Sequence, residues 1–332
     1  VSTPPSDLPG TLLASLALAR GQLDRAADLR ADPDACAAVW RDRSSRVLLV
    51  HRGRTLVVDG AHGDAGTEQA GLALLDPTSN LVGDPASGSA VRVLLAREEG
   101  TAYLGLLLPG ELDPPEPPAG TRWADLRAVG ALLDDRDAGL LVPAVSLANW
   151  HASHPRCPRC GAPTEVTSGG WSRTCPDDSS QHFPRSDPAV IVLVTDDEGR
   201  ALLGRRAEWP AGWFSTLAGF VEAGESAELA LVREIAEEAG VHVDPARLHY
   251  LGSQPWPFPS SLMLGYRAPL RADSPPARPD GEEIDELRWF TRAELHAACE
   301  DGSVRIPPPV SIARRLVEHW YGAELPGSWS RP

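Results

Sequence analysis

Between Gly219 and Val241 the chain reads Gly-Phe-Val-Glu-Ala-Gly-Glu, then seven residues, then Arg-Glu-Ile-Ala-Glu-Glu-Ala-Gly-Val. Glu234, Glu237 and Glu238 therefore stand at i, i+3 and i+4, spacings that share one face of a helix. The pattern predicts Leu229, Val232, Ala236 and Ala239 on the opposite face, packed on a core. Ser226 is placed to cap the helix N-terminus, and Gly240 suits a left-handed cap at the other end. Glu225 and Glu228 lie near the positive end of the helix dipole. The apolar run Trp213–Ala218 predicts a strand leading in. Gly219 then marks a tight turn or a close backbone approach to a ligand. Like charges packed this closely repel unless something cationic joins them. Clustered oxygen donors suit Mg²⁺ or Mn²⁺, which share coordination with substrate phosphates. Arg233 is placed to pair with a carboxylate and fix its rotamer. A charge run by itself usually marks a solvated helix face. The fixed spacing of glycine, outer glutamates, arginine and triplet favours a site instead.

That spacing resembles the Nudix box, G-x5-E-x7-R-E-U-x-E-E-x-G-U with U bulky and apolar. Gly219, Glu225, Arg233, Glu234, Ile235, Glu237, Glu238, Gly240 and Val241 match every defined position. The resemblance implies hydrolysis of a diphosphate linked to a second group, with metals held on Glu234, Glu237 and Glu238. Downstream, Ser253-Gln-Pro-Trp-Pro-Phe-Pro-Ser-Ser-Leu-Met263 has prolines at alternate positions, which fix φ and remove amide donors. It cannot be a central strand and reads as a stiff, aromatic-bearing loop. The run resembles the S-Q-P-W-P-F-P-x-S motif of the NADH pyrophosphatase branch of the Nudix superfamily. This implies substrate contacts from Gln254, Trp256, Phe258 and Ser261. In that family a glutamate six residues before a tryptophan joins the metal site, which here is Glu283 before Trp289; Glu286 is the weaker candidate. Ring-stacking aromatics of the family fall on Phe220 and on Phe183, where tyrosine is usual. Stacking is the expected way to hold a nicotinamide or adenine ring. The segment Ile306–Val317 also resembles the family, with Val310 where a glycine commonly follows the prolines.

Three of the five cysteines cluster as Cys157-Pro-Arg-Cys160 and Cys175. This spacing reads as a structural zinc ribbon, which normally has four ligands. The family pattern places a fourth cysteine where Asp178 stands. His182 is the favoured replacement, because imidazole is an ordinary zinc ligand and lies just beyond; Asp178 is the alternative. His151 and His154 read as solvated, and Cys36 and Cys299 as isolated.

The chain has 332 residues, an apolar fraction of 42%, a formal net charge of −15 and no lysine. The charge argues against nucleic-acid binding through a broad basic surface. The absence of lysine excludes a Schiff base or a Walker-type phosphate clamp. The apolar run Leu12–Ala19 is too short to span a membrane and reads as a helix. Unpaired thiols and a metal module without a signal-like layout fit the cytoplasm. The expected fold class is α+β. It comprises a β-rich N-terminal domain (1–124), a helical connector (125–155), a zinc-ribbon module (156–186) and a C-terminal Nudix α/β/α sandwich on a mixed sheet (187–332). The proline-rich stretch Leu112–Gly120 reads as a stiff linker. No fixed-period repeat is visible.

Taken together, the resemblance implies a metal-dependent hydrolase that cleaves NADH or NAD⁺ to nicotinamide mononucleotide and AMP. Some relatives remove NAD caps from RNA 5′ ends, and members act as homodimers. The implied cofactors are Mg²⁺ or Mn²⁺ for catalysis and Zn²⁺ for structure. Glu237 or Glu238 is the expected base, oriented with the help of Arg233. Two readings compete: a broad dinucleotide or ADP-ribose pyrophosphatase, and a zinc-ribbon interaction module with a decayed catalytic domain.

Overall fold

The computed structural model describes residues 12, 16–59, 69–83 and 90–329. They form two compact units. One is Arg20–Ser186 with Pro257–Ser260; the other joins the described residues up to Ala19 to Asp187–Trp256 and to the chain from Ser261 onward.

The former begins with α1 (Ala27–Ala31) and α2 (Pro33–Val39). Then come β1 (Arg46–His51), β2 (Arg54–Asp59), β3 (Ala70–Leu72), β4 (Val91–Glu98), β5 (Thr101–Leu107) and β6 (Thr121–Asp125). Helices α3 (Leu126–Val129) and α4 (Asp135–Ser153) follow, and β7 (Glu165–Thr167), β8 (Ser172–Thr174) and β9 (Gln181–His182) make a small separate sheet. The main sheet has the order β3-β2-β1-β5-β4, with β6 on β2. Its alternating aliphatic residues, Val47, Leu49, Leu56, Leu94, Leu104 and Leu106, are buried together. Burying each stabilises by roughly 1.5–3 kcal/mol relative to exposure. The expected linker Leu112–Gly120 is instead a loop inside this unit. It joins β5 to β6, which returns to β2, and Pro115 O accepts from Trp123 Nε1 at 3.0 Å. Proline stiffness does not by itself distinguish a linker from a loop; the pairing of a distant strand does.

The second unit contains β10 (Asp187–Thr195), β11 (Ala201–Arg205), β12 (Leu217–Phe220), α5 (Ala227–Ala239), β13 (His249–Trp256), β14 (Ser261–Pro269), β15 (Glu286–Phe290), α6 (Arg292–Glu300) and α7 (Ile312–Tyr321). The sheet order is β13-β14-β10-β11-β15, with β12 on β10. Strand β10 runs parallel to β14 and antiparallel to β11 and β12. Alternation along β10 explains the three layers. Val190, Val192 and Val194 join Leu231, Ile235 and Ala239 of α5 in one core. Ile191 and Leu193 join Leu295 of α6 and Leu316 and Val317 of α7 in the other. This is an α/β/α sandwich on a mixed sheet.

The two large sheets share a topology. Strands β6-β2-β1-β5-β4 correspond in spatial and chain order to β15-β11-β10-β14-β13, and β1 runs parallel to β5 as β10 does to β14. Helix α5 lies between β12 and β13; between β3 and β4 the described residues form no helix. Only the second sheet thus carries the glutamate-bearing helix.

The described part of Leu12–Ala19 is not helical; residues 13–15 lie outside the described residues. Leu12 N donates to Leu251 O, and Leu12 and Leu16 join the core with α6 and α7. Among the described residues no helix is long and apolar enough to cross a membrane.

Candidate active site

Helix α5 has the predicted ends. Ser226 accepts from Leu229 N, and Gly240 closes the helix at φ 65°. Its buried face differs from the expectation: Ala230, Leu231, Ile235, Glu238 and Ala239 are buried, whereas Leu229 is 63% exposed. Leu231, Ile235 and Ala239 repeat at i+4, and docking on β10 selects that stripe over the one containing Leu229. Glu238 consequently lies at the edge of the core and is 4% exposed.

Gly219 lies inside β12, paired with Val190, so its role is close approach and not a turn. A Cβ there would fall 1.8 Å from Glu234 Cδ. The glycine leaves the space that the Glu234 carboxylate occupies. Arg233 binds the cluster from the other side. It reaches Glu225 through Nε (2.9 Å) and Nη2 (2.8 Å), and Glu234 (2.8 Å) and Glu237 (3.0 Å) through Nη1. It also donates to Phe220 O at 2.9 Å. Hydrogen bonds from Arg233 hold Glu225 at about 2, and Glu225 in turn accepts from Glu222 N. The outer glutamate is therefore an anchor for the arginine.

The inner glutamates are perturbed the opposite way. Burial, then the negative charge of Glu234, pushes Glu238 up to about 8; Arg206 opposes the rise and Glu283 adds to it. Burial also raises Glu234, against the pull of Arg233. Glu238 Oε2 accepts from Ala218 N at 3.3 Å. Concentrated, partly desolvated carboxylates of this kind fit a hard divalent cation. Glu283 sits on the loop before β15 and pairs with Arg206 at 2.5 Å. Its charge raises both Glu234 and Glu238, and Ile284 beside it shares a core with Leu217 of β12 and Ile235 of α5. Glu286 instead pairs with Arg205 on β11. Sequence reasoning misses Arg206: an arginine after an apolar strand carries no signal of its partner.

The motif Ser253–Met263 is a hairpin, not a loop. Ser253–Trp256 ends β13, and Ser261 opens β14. Strand β13 is at the sheet edge, where proline is tolerated. Ser261 and Trp256 are cross-strand partners and both are half-buried. Gln254 is fully buried: Oε1 accepts from Leu18 N at 3.3 Å and Nε2 donates to Val310 O at 3.1 Å. Backbone groups thus occupy the amide that the resemblance assigned to substrate. Phe258 stacks under Arg127 at 4.1 Å, within the first unit. Phe220 is 58% exposed in the second unit and Phe183 65% exposed in the first, so both rings are accessible for stacking.

In the ribbon, Cys157, Cys160, Cys175 and Asp178 present ligand atoms within 4.8 Å of one another. It is the one such group among the described residues. Cys160 and Cys175 Sγ are 3.5 Å apart, and Cys157 Sγ is 3.7 Å from Asp178 Oδ2. A tetrahedron with zinc bonds of ~2.3 Å has edges of about 3.8 Å, so the spacing fits. Burial raises the Cys157 thiol, but the amides of Cys160 and Arg159 and the Ser180 hydroxyl more than offset this and leave it at about 6. His182, the expected fourth ligand, is placed elsewhere. Its Nε2 faces Ser180 Oγ at 3.1 Å, from β9. The turn after Cys175, closed by Ser179 N to Cys175 O and Cys175 N to Ser180 O, carries Asp178 to the thiols. His151 is buried rather than solvated. Nε2 lies 2.9 Å from Gly170 O and Nδ1 3.0 Å from Arg173, and burial lowers its pKa to about 4. His154 is exposed.

Three family models match the chain: the NUDIX domain over 185–307, the NADH pyrophosphatase zinc ribbon domain over 152–183, and the NADH pyrophosphatase-like rudimentary NUDIX domain over 44–150. An NAD-capped RNA hydrolase, NudC, of Mycobacterium bovis is 39% identical over 315 residues, covering 92% of this chain and 95% of its own. NudC of Mycobacterium tuberculosis aligns with the same identity and coverage, 39%, 92% and 95%. A human NAD-capped RNA hydrolase is 40% identical over 200 residues, covering 57% of this chain and 42% of its own.

Proposed function

The chain belongs to the NADH pyrophosphatase family of Nudix hydrolases, and on that premise we propose that it hydrolyses the diphosphate of NADH and NAD⁺ and removes NAD caps from RNA 5′ ends. The products are nicotinamide mononucleotide with AMP, or with a 5′-monophosphate RNA. The observation that carries the reading is the packing of Glu234 against Gly219 beside the buried Glu238. It sets one carboxylate held by Arg233 beside one that is almost fully buried.

Glu234, Glu237, Glu238 and Glu283 would hold the catalytic Mg²⁺ or Mn²⁺. Bound there, a divalent cation would supply charge neutralisation for the diphosphate and activation of the attacking water. Arg233 fixes the rotamers of Glu234 and Glu237 from one side. Of Glu237 and Glu238, the buried Glu238 is our choice for the general base. Phe220, exposed in the same unit as α5, would supply a ring for a substrate base. Gln254 acts on the fold of the hairpin, leaving Trp256 and Ser261 as the motif's candidate contacts in the unit that carries α5. Zn²⁺ held by Cys157, Cys160, Cys175 and Asp178 has a structural role. A homodimer, as the resemblance implies, is checked by light scattering of the purified chain.

The test is product analysis with Mg²⁺ or Mn²⁺, comparing NADH, NAD⁺, ADP-ribose and an NAD-capped RNA, with Glu238→Gln alongside. Metal-dependent release of nicotinamide mononucleotide by the wild type, lost in the variant, is the expected result. Turnover fastest on ADP-ribose would replace this reading with a broad dinucleotide pyrophosphatase. No metal-dependent turnover of any substrate would reject catalysis.

A further inference from the structure

Resting on that reading of the glutamate site, we infer that Arg206 is a positioning residue whose guanidinium holds Glu283 at the rim of the triplet, so that an arriving divalent cation meets four carboxylates instead of three. Glu283 needs such a hold. Its side chain is 61% exposed, and a glutamate free to rotate loses rotamer entropy when it is captured. Its backbone is already pinned. The Asp280 carboxylate accepts from Glu282 N and Glu283 N at 3.2 Å and from Ile284 N at 2.8 Å. Ile284 is buried, and Asp285 N donates to Arg205 O at 2.9 Å. Arg205 also pairs with Asp285 and Glu286. The loop is thus fastened to β11, and Arg206, the residue after β11, donates to Glu283 Oε2 at 2.5 Å.

An exposed ion pair of this kind contributes only about 0–1 kcal/mol to stability, so stability does not account for it. Orientation does. Ile284, next to Glu283, shares a core with Leu217 of β12 and Ile235 of α5, and Ala218, next to Leu217, donates to Glu238, so the pair stands on the side of the cluster. Arg206 engages one carboxylate oxygen, and a carboxylate has a second with its own lone pairs for a cation. Arg233 stands in the same relation to Glu234, binding it through Oε1. Two arginines therefore each orient one carboxylate of the site. Removing such supporting partners typically weakens metal binding by roughly 10–100-fold.

The test is Mn²⁺ titration by calorimetry on the full-length, zinc-loaded protein, with a thermal melt of every variant. Arg206→Ala is expected to weaken Mn²⁺ binding by roughly 10–100-fold without moving the melt. Arg206→Lys should recover part of the affinity, because lysine keeps the charge but not the planar fork. Glu283→Gln should lose a similar amount, and the double variant Arg206→Ala/Glu283→Gln no more than either alone. Unchanged or tighter binding by Arg206→Ala would overturn the assignment, the latter because it would make Arg206 a competitor of the cation. If Glu234→Gln and Glu238→Gln also bind Mn²⁺ as the wild type does, the metal-site reading falls together with this one. A weakened Glu234→Gln beside an unaffected Arg206→Ala would remove Arg206 alone.

Discussion

Replacing Gly219 by alanine places one methyl group where the structure has none to spare. The new Cβ would stand 1.8 Å from Glu234 Cδ and 2.1 and 2.2 Å from its two oxygens, against 3.4–4 Å for ordinary contact. The carboxylate must therefore retreat by roughly 1.5 Å, and a misplacement on that scale costs about 100-fold in rate. This is about 2.7 kcal/mol of transition-state stabilisation. The fold should survive, because what yields is the far end of a side chain that is 16% exposed and held by Arg233. The assay is kcat on NADH with saturating Mg²⁺, alongside the melting temperature. Expected are a ~100-fold fall in kcat and a melt within a few degrees of wild type. A cycle with Glu234→Asp sharpens the case, since the shorter side chain withdraws the carboxylate from the new methyl. Gly219→Ala should then cost much less in the Glu234→Asp background than alone. Near-wild-type kcat in Gly219→Ala, or full additivity in the cycle, would refute the argument that this glycine exists to seat Glu234.

Zinc content measured on purified variants should fall in Asp178→Ala and stay at the wild-type level in His182→Ala; the reverse pattern would restore histidine as the fourth ligand. Gln254→Ala strands Leu18 N and Val310 O in the interior, where each unsatisfied group costs about 1–3 kcal/mol. Urea unfolding should show a loss of that order, and a loss below ~0.5 kcal/mol would mean that these bonds contribute little. Because Glu238 stands at about 8, it holds its proton at pH 7, whereas a cation needs the carboxylate. Mn²⁺ affinity should therefore climb from pH 6 toward pH 8 and flatten above, with proton release detectable by calorimetry in buffers of different ionisation enthalpy. Affinity flat across that window, or equally steep in Glu238→Gln, contradicts the assignment.

Features set by local chain chemistry are legible in the order of residues alone. Caps at Ser226 and Gly240, the i, i+3, i+4 glutamates and the Cys-x2-Cys knuckle depend on neighbours within a turn or two. Strands β1, β2, β4, β5, β10 and β11 announce themselves as apolar runs. The short β3 and β6 do not, because their stability comes from pairing with β2 and not from composition.

What tertiary structure decided were choices among locally equivalent alternatives. An α5 helix has two plausible apolar stripes, and only docking on β10 buries the one containing Leu231 and Ile235 and, with it, Glu238. Gln254 could face a ligand or the interior; the described N-terminal segment and Val310 claim its amide. Asp178 and His182 are both near enough in sequence to complete the ribbon, and the turn after Cys175 brings in the aspartate. The shared topology of the two sheets is invisible as a sequence repeat, since strand order and direction survive without residue identity. Spacing along the chain states which groups can share a face; burial and partners 50 or more residues away state what that face does, because desolvation and long-range hydrogen bonds exist only once the chain has closed on itself.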